Sequence, residues 1–328
     1  MQNPTAAILE ALALHARHDP GAPIVIGCSG GPDSLALVTL AASLRRVDHR
    51  AAIHACIVDH GVQPDSADVA STAAQTALTL GADIAHIERV KVLADGRGFE
   101  AAARDARRTA LMSYASAVRA PRIWLAHTLD DQAETVLLGL ARGSGARSLA
   151  GMRGDDGTWL RPLLRCRREA VHACLPADTA VWRDPHNDDP RFLRSRVRHE
   201  LMPALRSVLG DKAIISLART AELLRLDDEA LSAIAVSEIE RARTAAGTTI
   251  VLNRLMLRQL PPAVLHRVFR LVLEEIGCPL AEVTSRHYQR ISDAVMAPMT
   301  VGPLAMPGVV SVLAADERLA FTRSGTDS

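Results

Sequence analysis

Apolar positions in the first half of the chain switch repeatedly between two spacings. Short apolar runs at 24–28, 52–58, 84–92 and 123–126 read as buried strands. Between them, 35–44, 69–80, 99–118 and 131–140 read as helices. One carries Ala103, Ala106, Ala110, Leu111, Tyr114 and Val118 at helical spacing, another Ala133, Val136, Leu137 and Leu140. Strand–helix alternation predicts right-handed crossovers and a parallel sheet with helices on both faces. Residues 1–20 form an amphipathic helix in front, 160–164 one more strand and 167–175 a helix. A helix over 191–208 sets Phe192, Leu193, Val197 and Leu201 on one side and Arg191, Arg194 and Arg198 on the other. Beyond Gly210 the pattern is mainly helical (214–244, 262–276, and a helix after Thr284), with a strand at 249–252 and a hairpin within 301–322. The expected architecture is α/β: residues 1–208 as a Rossmann-like domain that includes the arginine-rich helix, and 209–328 as a smaller, mainly helical domain for substrate.

Composition narrows this modestly. At 328 residues two domains are expected, since single cores seldom exceed about 250–300 residues. Glu10 interrupts the first apolar stretch and no basic start precedes it, so it is not a signal peptide. No apolar run approaches the ~18 residues of a membrane span. The expectation is a soluble, cytoplasmic protein. The five cysteines are scattered without a C-x-x-C pair, which argues against disulfide, zinc and iron–sulfur frameworks. The net charge of +1 announces no nucleic-acid partner, but residues 161–210 hold ten arginines against six acids. Lysines number two, Lys91 and Lys212, which limits any mechanism that needs one.

The stretch Ser29-Gly30-Gly31-Pro32-Asp33-Ser34 joins the first strand to a helix, where backbone N–H groups converge and a phosphate is the expected occupant. It lacks the Walker lysine and the three spaced glycines of a dinucleotide fingerprint. It offers two hydroxyls and a carboxylate, and a carboxylate beside phosphate makes sense mainly with Mg²⁺ between them. A plain Gly-Gly-Pro turn capped by Asp33 or Ser34 is the alternative. The neighbouring strand ends decide: Asp59-His60 closes the second strand, and His127 with Asp130 and Asp131 the fourth, all at one rim. Asp33, Asp130 and Asp131 are then the candidate metal ligands, with N-capping by Asp130 as its plainer role. Glu100 and Arg104, four apart on one helix, would contribute only ~0.3–0.5 kcal/mol as a surface pair, so stability is a poor reason for them. A short loop without lysine suits pyrophosphate as leaving group and adenylation of an oxygen nucleophile.

Cys28 to Ser34 resembles the PP-loop of the N-type ATP pyrophosphatases. Further motifs resemble one branch, the tRNA(Ile)-lysidine synthases: Val58-Asp-His-Gly61 with Ser66, Glu100 to Arg104, Ala126 to Thr135, Arg142-Gly-Ser-Gly145, Arg161-Pro-Leu-Leu164, and Asp184 through Asn187 to Pro203, in that order. The resemblance covers roughly residues 20–205 well and the remainder more loosely. It implies a ligase that uses ATP to adenylate C2 of the wobble cytidine in the CAU-anticodon isoleucine tRNA, after which free L-lysine displaces AMP and codon reading changes from AUG to AUA. It implies that Ser29, Gly30, Gly31, Pro32, Asp33 and Ser34 hold ATP phosphates, with Asp59, Arg142, Gly143 and Gly145 also at the nucleotide. Asp33, Asp130 and Asp131 are implied near Mg²⁺; His127, Glu100 and Arg104 near the reacting groups; and Asn187, Arg194, Arg196 and Arg198 near nucleotide or RNA backbone. A homodimer is a further expectation. Departures are Thr128 where many members have histidine, Arg108 where an aromatic is common, and an end after one helical domain where longer members continue. Two rivals stand beside this reading: a PP-loop thiolase making a 2-thio nucleoside, which the cysteine pattern disfavours, and an ATP-binding module without chemistry, which would leave Asp130-Asp131-Gln132 and the arginine-rich turn unemployed.

Overall fold

The computed structural model describes residues 4–17, 19–48, 52–61, 65–92, 98–143, 145–184, 188–245 and 247–324. The chain packs as two units, 1–223 and 224–328. In the first, helix α1 (Pro4–Ala16) precedes β1 (Ile24–Gly27), α2 (Pro32–Asp48), β2 (Ile53–Asp59), α3 (Ser66–Thr79), β3 (Ile84–Arg89), α4 (Phe99–Ala117), β4 (Ile123–Trp124), α5 (Leu129–Arg142), α6 (Ala146–Leu149), β5 (Trp159–Leu160) and α7 (Arg168–His172). The strands form one parallel sheet in the order β3-β2-β1-β4-β5. The order reverses beside β1, and that crevice at the carboxyl ends is where open α/β sheets take ligands.

Alternation along each strand sends its residues to two different cores. Ile24, Ile26 and Cys28 of the β1 segment pack with Leu35, Leu37 and Val38 of α2 on one face. Val25 packs with Leu111 and Ala115 of α4 on the other. Gly27 also faces α4, since a Cβ there would stand 3.0 Å from Leu125 and 3.3 Å from Leu111. The loop that follows β1 is thus flanked by α2 on one face and α4 on the other.

Past α7 the chain runs through α8 (Leu193–Arg196), a π-helical turn (Val197–Leu201) and α9 (Met202–Leu209) into the long α10 (Lys212–Ala242), which carries the division between units. Val197, Met202 and Ile214 pack on Leu129, Ala133 and Leu138 of α5. A π turn adds one residue to the helical register; here Arg198 lies within it and turns toward α5.

The second unit continues with β6 (Arg243–Ala245), β7 (Thr249–Asn253), α11 (Arg254–Leu257), α12 (Pro262–Glu275), α13 (Ser285–Met296), β8 (Val301–Met306), β9 (Val310–Ala315) and β10 (Arg318–Arg323). The expected helices and terminal hairpin are present, and the hairpin is part of a five-stranded antiparallel sheet, β6-β7-β10-β9-β8. Its core is apolar around Phe269, Val272, Val312 and Phe321. Arg254 is 1% exposed and donates to the carbonyls of Ala294, Val295, Ala297, Met299 and Asp316. The first three are freed carbonyls at the end of α13, so the buried guanidinium closes that helix. Among the described residues, no helix is long and apolar enough to cross a membrane.

Candidate active site

The loop after β1 is tied by its own serines. The Ser34 hydroxyl donates to the Gly31 carbonyl at 2.9 Å and accepts the Ser29 N–H at 3.2 Å, while the Gly31 N–H meets Ser29 Oγ at 3.4 Å. Gly30 has φ +75°, and a Cβ there would lie 2.8 Å from that of Ala73, so no side chain fits. The N–H of Trp182 donates to the Gly30 carbonyl at 2.9 Å, fastening a later segment on the loop. The N-terminus of α2 contributes its partial positive charge here. Asp33, in the first turn of α2, keeps 30% of its side chain exposed and meets His172 Nε2 at 2.8 Å. Arg168 Nε is 3.9 Å from it.

The helix after β4 starts differently from expectation. Thr128 is its N-cap and Asp131 its third residue; the Asp131 N–H reaches Thr128 Oγ1, while Asp131 Oδ2 accepts the Thr128 N–H and hydroxyl, each at 2.8 Å. Asp130 therefore does not cap. Both aspartates, with Glu134 one turn on, lie inside a cage of arginines. Arg206 Nη2 is 2.6 Å from Asp130, whose other oxygen accepts the Arg168 N–H at 2.8 Å. Asp131 Oδ1 accepts from Arg168 and Arg198 at 2.8 and 2.9 Å. Glu134, 0% exposed, accepts from Arg198 at 2.8 Å, Arg168 at 3.0 Å and Arg194 at 3.2 Å. Burial alone would raise the pKa of Asp131, but Arg168, the Thr128 N–H, Arg194 and Arg198 hold it well below the usual carboxylate range.

Several expectations change here. Each oxygen of Asp130 and Asp131 accepts at least one N–H or O–H donor, so arginine, threonine and backbone donors hold both carboxylates in this arrangement. Among the described residues no three His, Cys, Asp or Glu side chains are grouped to hold a metal. Asp33, with 30% of its side chain exposed beside the loop, fits Mg²⁺, an ion commonly held by one or two carboxylates plus substrate phosphates. Arg194 and Arg198 turn inward to Glu134, whereas Arg196 is exposed on the far side, 3.7 Å from Glu200. Arg142, Gly143 and Gly145 are not brought to the loop: α5 begins at the rim and its 14 residues carry them ~20 Å along its axis. Gly143, at φ 64°, is the left-handed C-cap of α5.

Asp59 lies at the rim but serves its own loop. Burial alone would raise its pKa, yet the Gly61 N–H (2.9 Å), Ser66 and Arg89 (3.1 Å) bring it below the ordinary value. His127 stands at the rim with burial the main cause of a pKa lowered to about 4, so it is neutral at physiological pH. Arg104 is exposed on α4. Glu100 lies in the first turn of α4 with its side chain outside the described ones, and Asn187 lies outside the described residues. Arg108, in place of an aromatic, lays its guanidinium over the Trp159 ring, 4.7 Å from the centroid.

Sequence reasoning assigned no role to Glu134, Arg168 or His172. Gln132 holds the segment after Gly151 with two hydrogen bonds, donating to Met152 O (3.0 Å) and accepting its N–H (2.7 Å). The signal for Glu134 was present, since Asp131 and Glu134 are one turn apart on a helix with an apolar stripe elsewhere.

A family model described as a PP-loop domain matches residues 5–205. A tRNA(Ile)-lysidine synthase from Leifsonia xyli subsp. xyli is 47% identical over 294 residues, covering 88% of this chain and 87% of that protein. One from Mycolicibacterium paratuberculosis is 51% identical, covering 69% and 67%. Among solved structures, the U34-tRNA thiolase from Methanococcus maripaludis with its 4Fe-4S cluster is similar in fold, with TM-score 0.54 and 17% identity over 67% of this chain and 79% of that one. All five cysteines are free, and burial raises the thiols of Cys28, Cys166 and Cys278 and pushes Cys56 up to about 12. With its parallel sheet, serine-tied loop and relatives matched over most of both chains, the protein belongs to the tRNA(Ile)-lysidine synthase family of PP-loop proteins.

Proposed function

We propose that this chain ligates free L-lysine to C2 of the wobble cytidine in the CAU-anticodon isoleucine tRNA, at the expense of ATP. The observation that carries this reading is the loop 29–34 at the topological switch point, in a chain whose relatives are named for the reaction. Its N–H groups and the Ser29 and Ser34 hydroxyls suit the phosphates of ATP. Asp33 would hold Mg²⁺, which when bound neutralises charge at the phosphates. The cytidine O2 attacks the α-phosphorus and pyrophosphate leaves. The lysine amine then attacks C2, loses a proton, and the C2–O bond breaks with AMP departing. The cage around Glu134 holds α5 to the arginine-bearing helix and so fixes the rim on which both steps take place. Such a protein acts in the cytoplasm; pairing of two copies belongs to the same proposal.

Two steps predict a separable half-reaction. With ATP labelled at the α-phosphate and CAU-anticodon tRNA but no lysine, label should accumulate on the RNA and one pyrophosphate appear per label. Adding lysine should discharge it as AMP. Nucleotide binding with neither product would instead mark a non-catalytic module, and label transfer that lysine leaves untouched would point to another nucleophile such as a sulfur donor.

A further inference from the structure

The loop carboxylate Asp33 is tied to a segment far along the chain. Its Oδ1 meets Nε2 of His172 at 2.8 Å across 139 residues of sequence, and the two side chains are 30% and 37% exposed. A carboxylate oxygen accepts, so Nε2 bears the hydrogen. The other oxygen, Oδ2, has Arg168 Nε at 3.9 Å, outside hydrogen-bond reach, and accepts no hydrogen bond among the described residues. One oxygen of the carboxylate is held and the other is left for a ligand.

Helix α7 is fixed on both sides of this imidazole. Val171, 0% exposed, seats the helix in the core it shares with Leu35 and Val38 of α2. At its first residue the Arg168 N–H donates to Asp130 at 2.8 Å, and the Arg168 guanidinium reaches Asp131 at 2.8 Å and Glu134 at 3.0 Å. His172 follows four residues later, on the same side of the helix. Helix α7 thus joins the arginine cage on α5 to the carboxylate on α2. Asp33 has need of such a holder. It lies in the first turn of α2, where an aspartate left to itself turns back to the open N–H groups of its own helix.

We propose that His172 is a positioning residue for Asp33: by holding Oδ1 toward α7 it makes Oδ2 the oxygen offered to the Mg²⁺ that accompanies ATP. This rests on the role proposed above for Asp33 and adds to it a residue that touches neither metal nor nucleotide. A group that orients a metal ligand commonly carries roughly 10–100-fold of the metal affinity. A pair as exposed as this one adds little to stability, so its worth lies in orientation. A neutral amide that donates from the same place serves equally well, since the contact needs a hydrogen and not a charge.

The test uses the full chain without RNA or lysine and measures its affinity for ATP twice, with saturating Mg²⁺ and with the metal chelated. By linkage, the ratio of the two affinities is the factor by which the protein strengthens Mg²⁺ on the nucleotide. His172→Ala should lower this ratio about tenfold. His172→Gln, whose amide donates from a similar reach, should keep it within about threefold of wild type. Metal-free ATP should bind both variants within about twofold of wild type, because His172 reaches the nucleotide only through Asp33 and the metal; unchanged urea midpoints would show them folded. A wild-type ratio in His172→Ala overturns the proposal, and a raised ratio overturns it by marking the pair as a contact the metal must break. Loss of metal-free ATP affinity in step with the ratio overturns it in favour of a direct part in the loop. Asp33→Ala separates this from the reading beneath it: a wild-type ratio there would remove Asp33 from the metal, whereas a ratio lost at Asp33→Ala and kept at His172→Ala would remove His172 alone. Absence of lysine transfer by the wild type would remove the proposed reaction, while the ratios would still decide the role of His172.

Discussion

Glu134→Ala is expected to lower the unfolding free energy of the first unit by about 3–5 kcal/mol, the range for removing one member of a buried ionic cluster. The cause is what remains: Arg168, Arg194 and Arg198 would keep their charges in a half-buried site with Asp131 as their shared acceptor. Urea denaturation at neutral pH reads it directly. Arg196→Ala, on the exposed side of the same helix, should change stability by less than about 0.5 kcal/mol. If Glu134→Ala cost no more than Arg196→Ala, the cage would not be what holds α5 to that helix.

The second large effect belongs to Asp33. Asp33→Ala should reduce kcat/KM for ATP-dependent modification by on the order of 10²-fold or more, the scale for losing one group that stabilises charge in the transition state. Stability should hardly move, because the Asp33 side chain is 30% exposed and its pairing with His172 is at the surface. Arg142→Ala should leave kcat/KM within about threefold, as its place at the far end of α5 requires. A loss at Arg142 comparable with that at Asp33 would restore it to the nucleotide site. A loss at Asp33 of threefold or less would remove the carboxylate from the chemistry.

Most of the first unit was legible because its strands, the edge strand β3 apart, are buried and its helices half-buried, so the two apolar periods are written cleanly in residues 24–140. The loop at Ser29 was legible for the same reason: strand, glycine turn and helix are local. Distance was not legible. Arg142 and Gly143 follow Asp131 in a run of motif residues, yet a straight helix separates them by several turns. Partners were equally hidden, since Glu134 meets Arg194 and Arg198 from 60 and 64 residues away, and their arginine face reads from sequence like a solvated or RNA-binding one. The π turn at Val197–Leu201 that helps aim Arg198 leaves no periodic trace over five residues. In the second unit, β6 has only three residues, mostly exposed, too few to show an alternation.

The reading stands or falls on the product. After incubation of the protein with CAU-anticodon tRNA, ATP and isotope-labelled L-lysine, the RNA is digested to nucleosides and weighed by mass spectrometry. The account predicts a cytidine heavier by lysine less one water, carrying the isotope label and found at the wobble position alone. A wobble cytidine of unchanged mass, or one heavier by the replacement of oxygen with sulfur, would contradict it.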